Sequence, residues 1–153
     1  TSFYAIPYPG GDVPRGREAC SDVAIRALRN AGIDLQREIA EDIRRRPKAY
    51  PNVAEQKTSI DHRRVRNQVV WFARYLTRLG TEVDAARPEA WMPGDIVLFD
   101  TLSKPGPDHI GIVSDAIGPS GLPLVINNWT VGSTTAEMDL LAFVPVTDHF
   151  RMP

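Results

Sequence analysis

Cys20 is the one cysteine of the chain, and it opens a helical pattern behind the turn-forming, charged run from Pro9-Gly10-Gly11-Asp12 to Gly16. A thiol at a helix N-terminus meets the positive end of the helix dipole and unpaired N–H groups, so its pKa is expected below the free value of ~8.5. The same N–H groups can receive an oxyanion. The competing reading is a small buried hydrophobe. His109 begins a strand directly after Gly106-Pro107-Asp108, with Gly111 two residues on along the same face. A strand holds such a ring rigidly at a cleft, and the missing side chain leaves room for substrate or for another backbone. Asn127-Asn128 follow Leu124-Val125-Ile126 at the end of the next strand, although asparagine is depleted in strands. They either terminate the strand or supply an amide that accepts from the histidine ring and fixes its tautomer. Cysteine, histidine and a polar orienter in that order form a set for nucleophilic attack on a carbonyl.

The elements that must position these residues divide the chain in two. Residues 21–31 place Val23, Ala27 and Ala31 on one helical face, with Gly32 as a stop. Asp34 is expected to cap a second helix carrying Leu35, Ile39 and Ile43, which Pro47 ends. A loop then runs to about Arg66. Asn67 is expected to cap a third helix with Val69, Val70, Ala73, Leu76 and Leu79 inward, closed by Gly80. From Trp91 onward the period becomes strand-like, with strands at 95–100, 109–115, 122–129 and 140–146 separated by turns short enough for antiparallel neighbours. Helices followed by a meander predict one α+β domain over residues 1–153.

Composition narrows the classes. The chain of 153 residues is 42% hydrophobic and 24% charged, which argues for a folded globular domain and against disorder. No apolar run approaches the roughly 18 residues of a membrane span. One cysteine excludes an intrachain disulfide and a multi-thiolate metal site, and His62, His109 and His149 are too scattered for a zinc cluster. No cofactor or metal is expected. The chain starts at Thr1 without methionine, so an upstream segment is expected to have been removed. Residues 1–80 hold fifteen basic and nine acidic side chains, whereas residues 81–153 hold three and ten. The expectation is that the halves complement one another across a shared core. A nucleic-acid footprint is disfavoured, because no aromatic residues interleave the arginines as base stacking requires.

The chain resembles the NlpC-like branch of the papain superfamily, the cell-wall cysteine peptidases. The likeness rests on Cys20-Ser21-Asp22, Trp91-Met92-Pro93-Gly94-Asp95 and His109-Ile110-Gly111-Ile112-Val113. It is most similar to a bacterial subgroup known as a domain of unknown function, through Tyr8–Pro14, Cys20–Val23, Ile60–Asn67, Pro93–Asp95 and His109–Asp115 in order. The chain departs from the wider branch at Ala19, where many members have aspartate, and at Asn127, where the subgroup commonly has histidine.

The resemblance implies a papain-like fold and a cysteine hydrolase acting on peptide or amide bonds of peptidoglycan stem peptides. Cys20 would attack, His109 would carry the proton and Asn127 would orient it. The Cys20 N–H, with the Tyr8 hydroxyl, would hold the oxyanion. Asp12, Asp22, His62, Arg63, Arg64 and Asn128 join Tyr8 as expected substrate-binding residues, the arginines as a carboxylate clamp. Asn128 is held in reserve as the orienter, and by strand alternation its loss is otherwise expected to be nearly silent. The expected setting is periplasmic or secreted, in which a single thiol is tolerated. A toxin against rival bacteria, with an immunity protein as partner, belongs to the same reading, as does a monomer without nucleic-acid partners. The alternative is a weak or inactive cell-wall binding module of the same fold.

Overall fold

The computed structural model describes residues 2–153, and Thr1 lies outside the described residues. The apolar periods of the first half become three helices, α1 (Cys20–Asn30), α2 (Leu35–Arg45) and α3 (Val65–Tyr75). The antiparallel sheet has six strands: β1 (Thr77–Leu79), β2 (Ile96–Phe99), β3 (His109–Ile117), β4 (Pro123–Asn127), β5 (Ala136–Met138) and β6 (Val146–Arg151). Their spatial order is β1-β6-β2-β3-β4-β5. Strands β2 to β4 form a meander as expected, β5 at Ala136–Met138 takes the place expected of 140–146, and β6 returns to the other side of β2. The chain is α+β. No helix is long and apolar enough to cross a membrane.

Several local expectations are corrected. The buried face of α1 carries Ser21, Ala24, Ile25 and Leu28 rather than Val23, Ala27 and Ala31. Both sets have helical spacing, but Ile25 and Leu28 remove more apolar surface from water. Leu35, Ile39 and Ile43 are buried on α2 as expected, yet the Asp34 carboxylate accepts from the Gly10 N–H and from Arg29 instead of capping the helix. Helix α3 begins at Val65, ahead of the expected Asn67 cap, and buries Asn67, Gln68, Trp71 and Phe72. Asn67 donates to the Asp61 carbonyl at 2.9 Å, and Ala73 is exposed. The segment expected to end this helix is the edge strand β1, paired with β6 through Thr77–Arg151 and Leu79–His149. Residues 140–145 are not a strand either. Leu140 and Leu141 sit buried in a turn, and pairing resumes at Val146.

Because strand residues alternate between faces, the sheet carries two cores. Ile96, Leu98, Ile110 and Phe150 pack against Ala24, Ile25, Leu28, Leu35, Ile39, Trp71 and Phe72 of the helices. Val97, Phe99, Val113 and Val125 face the other way, where Trp91, Leu122, Leu140 and Leu141 cover them. Phe99 pairs with His109, Val97 with Gly111, and Val113 with Val125, so His109 and Gly111 belong to the second face. Continuing that register sets Gly111 opposite Asn127. A Cβ on Gly111 would stand 2.4 Å from Val125 Cγ1 and 2.9 Å from the Ile126 carbonyl oxygen. The room expected beside the histidine is therefore filled by the neighbouring strand. Gly111→Ala is expected to lower the unfolding free energy by about 1–3 kcal/mol through overpacking, read as a lower urea midpoint. An unchanged midpoint would mean that β4 yields freely at this point.

Candidate active site

Helix α1 brings Cys20 to the mouth of β3. The thiol lies 4.0 Å from the Asp108 carbonyl oxygen, and the Ile110 N–H is directed at it, so Sγ rests against the residues on either side of His109. The first turn of the helix is fixed by Asp22, whose carboxylate accepts from the Ala19 N–H at 2.7 Å. Cys20 and Ser21 are left with first-turn N–H groups that have no intrahelical partner. Burial pushes the Cys20 thiol up, against the opposing pull of the Ile110 and Ser21 N–H groups. This corrects the expected acid thiol: desolvation outweighs the helix end.

His109 is buried, with Nε2 at 3.0 Å from Asn127 Oδ1. The Asn127 amide nitrogen donates to the carbonyls of Val125 and Ala136, at 3.2 and 3.4 Å. That orientation aims Oδ1 at the ring, so Nε2 carries the proton and Nδ1 is the basic nitrogen. Burial pulls the His109 pKa down, partly opposed by the Asn127 hydrogen bond and the Asp108 charge. The ring is neutral at neutral pH. The Trp129 ring approaches it edge-on, with centroids 5.0 Å apart, and the Phe99 ring lies tilted beside it at 6.0 Å. Sequence reasoning missed Trp129, although its place two residues beyond Asn127 was a usable signal for the same face.

Asn128 is fully enclosed and has a different task. Its amide nitrogen donates to the carbonyls of Glu18 and Ser133, and its Oδ1 accepts from the Ser133 hydroxyl at 2.7 Å. The Gly132 N–H also reaches Glu18 O. Asn128 thus ties the loop after β4 to the segment before Cys20, so it is neither a substrate contact nor a silent position.

Other expected substrate contacts are reassigned. Arg63 is 1% exposed, and its Nε and Nη2 grip the two carboxylate oxygens of Asp22 at 2.8 and 3.0 Å. Its Nη1 donates to Ser2 O at 2.6 Å. The Asp22–Arg63 pair is an internal brace rather than a clamp for ligand. His62 is buried beside it, and desolvation followed by the Arg63 charge lowers its pKa to about 4, so it is a neutral core residue. Asp12 is paired with Arg26 at 3.0 Å. The Tyr8 hydroxyl accepts from Arg44 of α2 at 3.1 Å, which gives it a partner other than an oxyanion at Cys20. Arg64 alone of the expected clamp is exposed, and it lines a groove with Arg66 and Lys104 that Asp108 borders.

The Trp91–Asp95 motif serves the far end of the sheet. Asp95 is buried, accepting from Met92 N, His149 and Arg151, while Trp91 stacks on the His149 ring at 4.0 Å. Among the described residues, no three His, Cys, Asp or Glu side chains are grouped so as to hold a metal ion.

A six-stranded antiparallel sheet with a helix-opening cysteine, a strand-opening histidine and an enclosed asparagine defines the class of arrangement. The chain belongs to the family described as a domain of unknown function, DUF1287, which matches residues 1–152. It is similar to the protein of Escherichia coli K12 described as uncharacterized protein YijF, 39% identical over 156 residues that cover 98% of this chain and 71% of that protein. No solved structure matches.

The brace yields a direct expectation. Arg63→Ala leaves Asp22 as an unpaired buried charge beneath the cysteine and should cost about 3–5 kcal/mol of stability, measured by urea unfolding. A variant of unchanged stability would return Arg63 to the ligand-binding surface.

Proposed function

We propose that the chain is a papain-like cysteine hydrolase of the NlpC type, cleaving peptide or amide bonds of peptidoglycan stem peptides in the periplasm or outside the cell. The observation that carries the reading is the 3.0 Å contact between His109 Nε2 and an Asn127 amide whose orientation is locked, with a half-buried thiol at a helix N-terminus set against the backbone of Asp108 and Ile110 that flanks the histidine. A buried histidine with one nitrogen tied to an amide and the other basic is suited to take a proton and return it.

The steps balance as acyl transfer. Cys20 Sγ bonds to the scissile carbonyl carbon as its proton passes to His109 Nδ1. The carbonyl oxygen gains negative charge and is held by the Cys20 N–H. The C–N bond then breaks, the amine leaving with the proton from His109. Water, deprotonated by the same nitrogen, attacks the thioester and releases the acid and the free thiol. Asn127 keeps the ring in the required tautomer, and Trp129 and Phe99 shield it from water.

The test is mass spectrometry of purified muropeptides incubated with the chain. Wild type should release cleaved stem peptides, and Cys20→Ala should release none while keeping its circular dichroism spectrum. In the same assay Asn127→Ala should lower kcat with little change in KM, and by less than His109→Ala does. Cleavage by Cys20→Ala at the wild-type rate would remove the cysteine mechanism.

The resting protonation state is open to a separate check. Burial raises the thiol and lowers the imidazole, so the free protein holds a neutral pair instead of a thiolate beside an imidazolium. Alkylation of Cys20 by iodoacetamide should climb steadily from about pH 6 to about pH 9, since only the thiolate reacts. A plateau across that range would indicate a preformed thiolate.

A further inference from the structure

We infer that the groove between the start of α3 and the loop before β3 is a carboxylate-binding subsite, which takes a free carboxylate of an acidic peptide close to the bond that Cys20 attacks. The inference rests on the hydrolase reading for its substrate class. The groove has a volume of about 400 Å³ and presents Arg64, Arg66 and Lys104 together with Asn52. Asp108 borders the groove and also offers the carbonyl oxygen 4.0 Å from Sγ, which joins groove and thiol through one residue.

The charges there are unbalanced. Among the described residues, none of the three cations forms an ion pair with a carboxylate. The acid bordering the groove, Asp108, is already engaged, its carboxylate accepting from the N–H groups of Thr101 and Leu102 and from the Thr101 hydroxyl. Asp61, which feels the Arg64 charge, is buried and accepts from Lys57 N. Helix α3 opens on the same groove with Arg64 at its N-cap, no side-chain cap and no acidic residue in its first turn. Helix starts ordinarily collect carboxylates, and here cations are added to an end that is already positive. Such an arrangement repels itself until an anion enters.

Arg66 is also prepared for a planar acceptor. Its Nη2 donates to the Pro105 carbonyl at 3.0 Å. Gly106, at φ +116, lies so close that a Cβ would come within 2.9 Å of the guanidinium. A side chain at 106 would displace the end of Arg66, and the positive φ there itself favours glycine. A carboxylate suits this fork bidentately. The groove has no aromatic lining for bases to stack on, which favours a peptide over a nucleic acid.

The experiment separates binding from turnover. The full chain carrying Cys20→Ala is titrated calorimetrically with a stem tetrapeptide bearing free carboxylates and with the same peptide fully amidated. The acid should bind at least about tenfold tighter, as charge-assisted hydrogen bonds imply. The gap should narrow at least about threefold when Arg64→Gln and Lys104→Gln are added, two exposed changes that leave Arg66 in place. Equal affinities, no binding of either peptide, or a gap left undiminished by the double change would each overturn the subsite. Displacement of the peptide by equimolar inorganic phosphate would also overturn it, reassigning the groove to phosphate-bearing ligands. If wild type leaves muropeptides intact while the gap is present, the hydrolase reading falls and the subsite stands. If wild type cleaves them and the gap is absent, the subsite falls and the hydrolase reading stands.

Discussion

The Asp22–Arg63 pair sets the geometry around which the site is arranged. Asp22 holds the first turn of α1 through the Ala19 N–H and receives both forks of Arg63 from the turn before α3. The thiol and the groove are thereby mounted on opposite ends of one buried ion pair. Gln68 strengthens the joint, its amide reaching His62 O at 2.9 Å and Ser21 O at 3.4 Å. Two charges withdrawn from water are costly unless every oxygen and N–H finds a partner. Here each carboxylate oxygen meets a guanidinium nitrogen, and Arg63 Nη1 meets Ser2 O. The brace consequently fixes α1 against α3 with a directionality that apolar packing lacks.

The other half of the site depends on how closely two strands approach. His109 and Asn127 lie diagonally across β3 and β4, and the residue between them on that face is Gly111. Without a side chain at 111, the imidazole and the amide come into hydrogen-bond range. Asn128 points elsewhere and fastens the next loop to Glu18, so adjacent asparagines join the strand end to two different places. One sets a ring, and the other holds the strand against the segment leading into Cys20. Both are enclosed, which explains why neither can act as a simple surface contact.

Much of this is legible in the residues themselves. The helical period locates α2, and the alternation of HIGIV places His109 and Gly111 on one face. Local pattern fails where tertiary partners decide the outcome. Thr77–Leu79 continues a plausible helix until β6 offers it hydrogen bonds, and Leu140-Leu141 looks like a strand although it plugs the second core from a turn. Arg63 escapes a local reading because an arginine beside Arg64 and Arg66 resembles part of a solvated run. Nothing local announces that one member of the run turns inward to a carboxylate forty-one positions away. The thiol's acidity escapes for a related reason: the helix end is visible in sequence, and the degree of burial is not.

The two helix starts show how charge is apportioned between chemistry and recognition. At α1 the dipole end is answered by Asp22, and Asp22 in turn by Arg63, so little net charge remains beside Cys20. What the thiol meets there is a set of N–H donors in a desolvated setting, which suits a neutral nucleophile and base that exchange a proton during attack. At α3 no acid answers the dipole, and Arg64, Arg66 and Lys104 add to it. Of the ion pairs among the described residues, Arg78–Asp148 alone links the basic first 80 residues to the acidic remainder, so the expected mutual complement of the halves does not discharge this surplus. The surplus is concentrated where Asp108 connects groove to thiol. An anion drawn there is held by charges that the neutral pair does not share, so ligand attraction and proton transfer are served by separate residues.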